Sequence, residues 1–408
     1  MSDAAPPTED LPLAGLTVLD VSSFIAAPAA AVALGDFGAD VIKVEPPGAG
    51  DPHRASWLNP GYPRAPVNFT WQLDARNKRS VALDLKAPAG RAALDRLIAK
   101  ADVLITNFPP RVRARLRLDW ADVEPVNPRL IHCALTGYGE SGPDRDRPGF
   151  DVTAFFARSG ILDALRYEDA PPGFSLPAQG DRCTAMTLVA AVMIALYRRE
   201  RTGKGGAVGT SLYANGVWSN GTLAQAALLG AIQPPRPPRE KARSVMVQQY
   251  RAGDGRWFLL AANPEDKHWS NLCKALGRPE FETDPRFAVR DARRANTAAL
   301  LAAFEAVFAT RDWPHWERAL GAVNVPCEVI GRVIDIVEDP QARHAGIVAP
   351  TTNPEIPATV NNPVRLGFAE PRLAGAPPSV GQHTDEILRF AGYDDDEIAA
   401  LRRDGAAA

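Results

Sequence analysis

The pair Gly180-Asp181 is the strongest candidate for chemistry in this chain of 408 residues. It stands between a polar, proline-rich segment, residues 171–179, and a long apolar segment, residues 183–197, which ends in a basic, glycine-containing stretch. This pattern predicts a helix with an Asp at its start and a glycine at its end. A helix dipole stabilises an ionised carboxylate at that start. Asp181 is therefore a helix cap or a nucleophile, and these residues alone leave both interpretations open.

Two basic clusters are candidates for binding the phosphates of a small ligand. Arg76, Lys78 and Arg79 precede a predicted strand and Lys86 follows it, while four arginines lie within residues 111–117. Both clusters lie beside predicted strand ends, where parallel sheets bind ligands. A solvated charged surface has the same composition, so that interpretation also stands.

The loop after the first predicted strand, residues 22–28, is built mostly of small residues that let a ligand approach the backbone. It lacks the glycine fingerprint of dinucleotide-binding proteins, which excludes a simple NAD site. Further along, Asp151 follows Phe150 and precedes a mixed apolar stretch. Asp151 is either the N-cap of its own helix or a second acidic group near the site.

Composition excludes several classes of function. The 46 basic and 48 acidic residues give a net charge of -2, so no global basic field attracts nucleic acid or an anionic membrane. The six histidines and four scattered cysteines show no metal-ligand or triad spacing, and we expect no metal and no tightly bound cofactor. Residues 1–10 lack the apolar part of a secretory signal, and residues 183–197 are too few to span a membrane. A cytoplasmic protein with a buried core helix at 183–197 is expected.

The elements that must position these residues alternate between strand and helix, which predicts an α/β fold with a doubly wound parallel sheet. Strands are predicted at 16–21, 41–44, 80–85, 103–106, 130–135 and 207–212, and helices at 29–37, 88–100, 183–197 and 214–229. A proline-rich linker at 233–239 precedes a predicted hairpin around residues 253–255 and three helices at 265–276, 297–309 and 312–320. The predicted domains are a large one from 10 to 230, a smaller α+β one from 240 to 330, and a C-terminal part from 345 to 408.

The order of short motifs along the chain resembles that of the family III CoA-transferases, which include formyl-CoA transferase and the carnitine and bile-acid enzymes. The motifs lie at residues 13–20, 35–46, 77–80, 102–108, 137–139, 180–181, 201–205 and 381–384. The resemblance implies a Rossmann-like domain formed by the N- and C-terminal parts, a smaller domain between them, and an interlocked homodimer. It implies coenzyme A or acyl-CoA as substrate and a small carboxylic acid as partner.

The resemblance also implies the site residues. The family's catalytic Asp matches Asp181. The positions assigned to CoA binding are Phe24, Ile25, Ala26, Leu83, Lys86, Asn107, Phe108, Arg115, Leu116 and Phe150. The family's glycine-rich active-site loop is not evident in this chain. Residues 244–249 correspond to it, and Gln248 or Gln249 is expected near the site.

Three positions depart from relatives within the family. Formyl-CoA transferase has Gln where this chain has Ile25 and Arg where it has Pro46. The racemases have His where this chain has Phe150. Because a phenyl ring cannot exchange a proton, this departure argues against racemase chemistry.

The expected mechanism is covalent transfer of CoA through an aspartyl mixed anhydride and an aspartyl-CoA thioester. Backbone N–H groups at the start of the Asp181 helix are expected to stabilise the oxyanions. Details of the segments 24–28 and 106–109 are closer to branches that act on C4 to C5 dicarboxylic acids. The alternatives are an acyl-CoA isomerase or racemase, an intramolecular CoA transferase, and an inactive CoA-binding protein.

Overall fold

The computed structural model describes residues 11–408, so residues 1–10, where the sequence predicts no secretory signal, lie outside the described residues. The chain divides into two compact units. The first, the sheet unit, consists of the residues up to Asp163, Gly173–Gln233 and Gln341–Ala408. The second, the hairpin unit, consists of Ala164–Pro172 and Pro234–Pro340.

The N-terminal half of the chain alternates strands and helices, as predicted. Its elements are β1 (Thr17–Asp20), α1 (Ala26–Asp36), β2 (Asp40–Glu45), α2 (Phe69–Ala75), β3 (Lys78–Ala82), α3 (Pro88–Ile98), β4 (Val103–Thr106), α4 (Pro110–Leu116), α5 (Trp120–Val123), β5 (Ile131–Thr136), α6 (Ile161–Leu165), α7 (Gln179–Thr202), β6 (Gly206–Ser211), α8 (Leu212–Ser219) and α9 (Gly221–Leu228). A 3-10 helix spans Pro52–Leu58 and a π-helix spans Asp151–Ala157.

The six strands of the sheet unit form one parallel sheet in the order β3-β2-β1-β4-β5-β6, which confirms the predicted α/β class and parallel sheet. Side chains alternate between two cores: on β4, Val103 and Ile105 face one core and Leu104 faces the other. Helices α1 and α7 pack into the core that contains Val103 and Ile105. Helix α3 and the helices near the C-terminus, at residues 387–401, pack into the core that contains Leu104. Because both faces are covered, the central strands are almost entirely buried and mostly apolar.

Helix α7 is longer than its apolar segment predicted. It begins at Gln179, ends at Thr202 and stops at Gly203, whose φ of 71° is the left-handed conformation that favours glycine. Polar residues at both ends continue the helix because the apolar segment anchors it in the core through Leu188 and Val192. By length and composition α7 could cross a membrane, although 39% of its most apolar window is buried inside the structure. The prediction that this helix is too short to span a membrane is therefore wrong on length.

The single helix predicted at 214–229 is two helices, α8 and α9. Asn220 ends the first and begins the second, with φ of -95° and ψ of 21°. Asn220 and Gly221 are both poor helix formers, so the break falls where the helix is weakest.

The hairpin unit contains a three-stranded antiparallel sheet in the order β7-β8-β9 and four α-helices. Its elements are β7 (Val247–Arg251), β8 (Trp257–Ala261), α10 (Glu265–Ala275), α11 (Arg290–Ala295), α12 (Thr297–Phe308), α13 (Trp313–Gly321) and β9 (Cys327–Val329). The aromatic rings of Tyr250, Phe258, Phe304 and Phe308 meet in its core. The predicted hairpin, β7 and β8, is present with Arg251 opposite Trp257.

The C-terminal segment returns to the sheet unit. Its elements are α14 (Pro340–His344), β10 (Val348–Pro350), β11 (Ala358–Val360), α15 (Thr384–Phe390) and α16 (Asp395–Arg403). Ile387, Leu388 and Leu401 join the core that contains Leu104. The backbone N–H of Ser80 donates to Nδ1 of His383 (3.1 Å), which ties β3 to the residue before α15.

Candidate active site

The carboxyl edge of the parallel sheet carries the loops that follow β1 and β4. These two strands are neighbours, and the strand order reverses direction between them, which is the position where open α/β sheets bind ligands. The side-chain amide of Asn107, just after β4, accepts from the Ser23 N–H (2.9 Å) and donates to the Ser23 carbonyl (2.7 Å). Asn107 therefore fixes the loop after β1 through both the oxygen and the nitrogen of its side-chain amide.

Phe24 lies in that loop with φ of 64°, a conformation that non-glycine residues rarely adopt. A buried ion pair supports it: Asp51 accepts from the Phe24 N–H (3.2 Å) and pairs with the Lys43 ammonium (2.7 Å). The Lys43 ammonium also donates to the Ser22 carbonyl (2.5 Å). The loop is thus held in a strained, fixed shape that leaves the Phe24 ring 46% exposed.

Asp181 is the third residue of α7. Because α7 leads directly into β6, its N-terminal end lies at the carboxyl edge of the sheet. Ala178 is the N-cap residue and makes no side-chain capping bond, so the interpretation of Asp181 as the cap is wrong. The Asp181 backbone N–H instead donates to Oδ1 of Asp151 (3.1 Å).

Asp151 supplies this bond from a separate element. It is the first residue of the π-helix, whose N-cap is Phe150, and it is buried. The prediction that Asp151 is the N-cap of its own helix is therefore wrong, because its carboxylate caps the start of α7 instead. Asp151 thus lies beside Asp181, as the alternative interpretation of a second acidic group expects.

Gly180 explains how two carboxylates and an aromatic ring meet at the start of α7. A Cβ at this position would lie 2.4 Å from Oδ1 of Asp151 and 2.3 Å from Cγ of Phe155. Both distances are far below van der Waals contact. Only glycine lets the π-helix approach α7 closely enough for Asp151 to reach the N–H groups there.

The two carboxyl groups have unusual acidities. Burial, and after it the Asp151 carboxylate, raise the pKa of Asp181 to about 7, and Arg182 acts in the opposite direction. Burial also raises the pKa of Asp151, against the lowering effect of the N–H groups at the start of α7. Perturbed carboxyl groups at a ligand-binding edge are typical of functional sites.

A buried chain of three charged or titratable side chains adjoins Asp181. Both terminal nitrogens of the Arg182 guanidinium bind the Asp74 carboxylate, with Nη2 at 2.9 Å from Oδ2. Nε2 of His53 lies 2.9 Å from the same oxygen. Sequence reasoning missed Asp74 and His53, because they lie 107 or more positions before Asp181 and match no short motif.

Comparisons with known proteins bear on this geometry. The family model described as CoA-transferase family III matches residues 13–384. The chain is a member of the family III CoA-transferases.

Individual relatives agree with this membership. Cinnamoyl-CoA:phenyllactate CoA-transferase of Clostridium sporogenes is 31% identical over 96% of this chain and 96% of the relative. Succinyl-CoA:glutarate CoA-transferase of Mus musculus is 32% identical over 96% of this chain and 89% of the relative. The crystal structure of a CAIB/BAIF family protein from Brucella suis has a TM-score of 0.83 and 30% identity, covering 93% of this chain and 99% of that one. As a family III CoA-transferase, the chain is an enzyme that transfers CoA between an acyl-CoA thioester and a carboxylic acid.

The positions assigned to CoA binding in this family III CoA-transferase differ in accessibility. Ile25 is the N-cap of α1 with no side-chain capping bond, and Ala26 is buried. Leu83 as a whole is 1% exposed, so the structure leaves almost none of this residue open to a ligand. Phe108 and Leu116 pack partly against the core, whereas the Phe150 ring is 60% exposed.

Four of the eight basic residues in the predicted clusters serve the fold. Arg76 pairs with Asp36 (2.8 Å) and Lys78 with Asp20 (2.7 Å), and all four side chains are buried. Arg79 pairs with Asp40 and Glu386. Arg113 is buried between Asp119 and Glu140. For these side chains the phosphate-binding interpretation is wrong, because buried carboxylates or surface acids already bind their charges.

Lys86 and Arg115 are the exposed cations among the positions assigned to CoA binding. Lys86 follows β3 and Arg115 lies in the last turn of α4. Gln248 and Gln249 lie on β7 in the hairpin unit. Among residues 11–408, no group of three or more His, Cys, Asp or Glu side chains has an arrangement that could hold a metal ion.

Proposed function

We propose that this family III CoA-transferase moves CoA from a donor acyl-CoA to a small carboxylic acid, with Asp181 as the covalent nucleophile. The observation that carries the proposal is the position of Asp181: a partly buried carboxylate in the first turn of α7, at the ligand-binding edge of the sheet. Because Asp151 already caps the helix, the Asp181 side chain is not needed for capping. This leaves its carboxylate available for reaction.

The proposed reaction proceeds by two exchanges at Asp181. The carboxylate attacks the thioester carbonyl of the donor, the C–S bond breaks, and CoA leaves as a thiolate while a mixed anhydride forms. The thiolate then attacks the Asp181 carbonyl, releases the donor acid and leaves an aspartyl-CoA thioester. The acceptor carboxylate attacks this thioester and the two steps run in reverse. Covalent catalysis divides one difficult exchange into easier ones.

Oxyanion stabilisation must use donors other than the N–H of Asp181, since that group donates to Asp151. The expectation that the first N–H groups of α7 serve this purpose is therefore corrected for Asp181 itself. An Asp181 pKa of about 7 suits a nucleophile that is also a leaving group, because a carboxylate of moderate basicity both attacks and departs at neutral pH.

CoA is proposed to bind along the carboxyl ends of β1, β3 and β4. The fixed loop at Phe24, Ile25 and Ala26 would receive the pantetheine part, and Asn107 would act by holding that loop. The exposed charges of Lys86 and Arg115 would bind the phosphates.

The acids are proposed to be small carboxylic acids, with C4 to C5 dicarboxylic acids as the first class to test. The name of the mouse relative includes the dicarboxylic acid glutarate, which supports this class. The clostridial relative is named for phenyllactate, a monocarboxylic acid, at a similar identity. A screen of succinyl-CoA and other donors against mono- and dicarboxylic acids would therefore identify the pair.

The experiment that tests the nucleophile is chemical capture. The enzyme is mixed with acyl-CoA and hydroxylamine, and peptide mass spectrometry locates the modified residue. We expect a hydroxamate on Asp181, and no transfer by a folded Asp181→Ala variant. Normal turnover by that variant would refute the assignment.

An intramolecular CoA transfer on the same fold is distinguished by leaving out the acceptor acid. Intermolecular transfer requires an acceptor, so no net product should form from acyl-CoA alone. Isomerisation without an acceptor would replace the proposed function by its intramolecular alternative.

A homodimer, interlocked as in the family, is also proposed. Five large apolar side chains on α7, α8 and α9 or directly after α9 are at least 68% exposed, which is unusual for a monomer surface: Ile194, Tyr197, Trp218, Leu228 and Leu229. Light scattering is expected to give twice the chain mass of 43.8 kDa.

A cytoplasmic location is also proposed for this enzyme. Its four unpaired cysteines support the proposal, because the cytoplasm keeps thiols reduced.

A further inference from the structure

Arg182 provides a fixed positive charge next to Asp181. Its guanidinium binds the Asp74 carboxylate through both terminal nitrogens, and the Asp74 side chain is only 1% exposed. Such two-point pairing fixes the plane of a guanidinium as well as its position. The Arg182 side chain remains 35% exposed, so its charge is not fully enclosed by the protein.

His53 is a second partner of the Asp74 carboxylate. Its Nε2 lies 2.9 Å from Oδ2 of Asp74, and its own backbone N–H donates to Oδ1 of Asp51 (2.9 Å). Asp51 also supports the strained Phe24 loop. The anchor of Arg182 is therefore built into the same buried network that fixes the predicted CoA-binding loop.

We propose that Arg182, held by Asp74 and His53, is a positioning residue that keeps the Asp181 carboxylate ionised for attack. The proposal rests on the proposed function, because it matters only if Asp181 is the nucleophile. Arg182 acts through Asp181, and no contact between Arg182 and substrate is required.

The charges around Asp181 show why a fixed cation is needed. Asp151 on the π-helix and Asp74 on α2 are acidic, and both raise the pKa of Asp181. His53 and Arg182 lower it, and Arg182 has the larger effect of the two. Tyr62 also lies near the Asp181 carboxylate, since the charge of Asp181 contributes to the raised pKa of the Tyr62 phenol. Without Arg182, two nearby carboxylates would oppose ionisation of the nucleophile.

The test uses the pH dependence of the single-turnover rate with acyl-CoA. R182Q removes the charge and keeps a polar side chain. Because the pKa of Asp181 should then rise, we expect the acidic limb of the pH–rate profile to move upward by about one pH unit. The double variant D74N/R182Q removes the acid as well. Because Arg182 affects Asp181 more than Asp74 does, the double-variant limb should lie between wild type and R182Q.

Two more variants complete the design. R182K keeps the charge and loses the two-point pairing, so its limb should fall between wild type and R182Q. R79Q is the matched control: Arg79 also pairs with two acids, but it lies near the start of β3, away from the carboxyl edge. Its limb should coincide with that of wild type. The double variant also guards against misfolding, because it leaves no unpaired charge on Asp74.

The outcomes separate this proposal from the proposed function. An R182Q protein that loses rate equally at every pH, with no movement of the limb, would show a merely structural role and overturn the proposal. So would a double-variant limb at or above that of R182Q, or an R182K limb identical to wild type. Activity in Asp181→Ala would instead overturn the nucleophile assignment, and that variant is measured alongside.

Discussion

The backbone N–H of Asp181 donates to Oδ1 of Asp151 at 3.1 Å, so one acidic residue caps the helix on which the other lies. This relationship divides two roles that the sequence could not separate. Asp151 serves the helix start from outside the helix, and Asp181 keeps a free side chain in the first turn. The proximity also couples the two carboxyl groups electrostatically, which several measurements can detect.

Replacing Asp151 with Asn tests this coupling. The amide oxygen can still accept from the α7 N–H groups, but the negative charge is lost, so the pKa of Asp181 should fall. We expect the acidic limb of the transfer rate, near pH 7 in the wild type, to move downward by about one pH unit.

The control for this variant is Asp144→Asn, because Asp144 pairs with Arg158 (3.0 Å) and is not among the main groups that shift the pKa of Asp181. It should leave the limb unchanged. An upward movement in Asp151→Asn would contradict the proposed coupling.

Gly180→Ala should damage the site through contact alone. The new Cβ would overlap both Asp151 and Phe155, so the π-helix must move away from α7. We expect a loss of about 2–3 kcal/mol in the free energy of unfolding and a large fall in kcat. Gly221→Ala is the matched control, because no atom lies within 4 Å of a Cβ there, and it should change stability by less than about 1 kcal/mol. Equal effects of the two substitutions would show that close packing at Gly180 is unimportant.

Asp181→Asn should stabilise the protein in a pH-dependent way. The pKa of Asp181 is about 7 in the folded protein and 3.8 without the fold, so the protonated form favours folding. Its contribution is fully present below about pH 4 and is lost as the pH rises through about 7. The variant avoids this loss, and we expect it to be more stable by roughly 1–2 kcal/mol at pH 8 and little changed at pH 4. Urea unfolding at both pH values measures the difference, and a variant less stable than wild type at pH 8 would contradict the raised pKa.

Lys86→Gln and Arg115→Gln should weaken binding of acyl-CoA without changing kcat. Each loses one exposed cation proposed to bind phosphate, so KM should rise by about 3- to 10-fold, with less effect at high salt. Arg113→Gln provides the contrast within the same helix as Arg115. Arg113 is buried between Asp119 and Glu140, so its loss should cost about 2–4 kcal/mol of stability and change KM little. A KM effect confined to Arg113→Gln would contradict the assignment of the phosphate-binding cations.

Sequence patterns located most elements because local signals were strong. The bounds of β4 match the predicted ones, and α12 begins where its pattern indicated and ends one residue earlier. Predictions failed where another element decided the result. The pattern placed Asp181 at the start of α7 and a glycine at its end, but it gave no sign of the cap, which comes from a residue 30 positions before Asp181. No local rule describes a cap supplied across such a distance.

The amino-acid sequence by itself determined the α/β class, the family and the candidacy of Asp181, because periodic patterns and motif order are properties of neighbouring residues. Tertiary structure alone decided which charges are free. Arg76, Lys78, Arg113, Lys86 and Arg115 look equivalent in the sequence, yet the first three are buried with carboxylates and the last two are exposed. The same holds for the network of Asp151, Asp74 and His53 around Asp181. Burial and long-range pairing set the ionisation of a group, and only the folded chain establishes them.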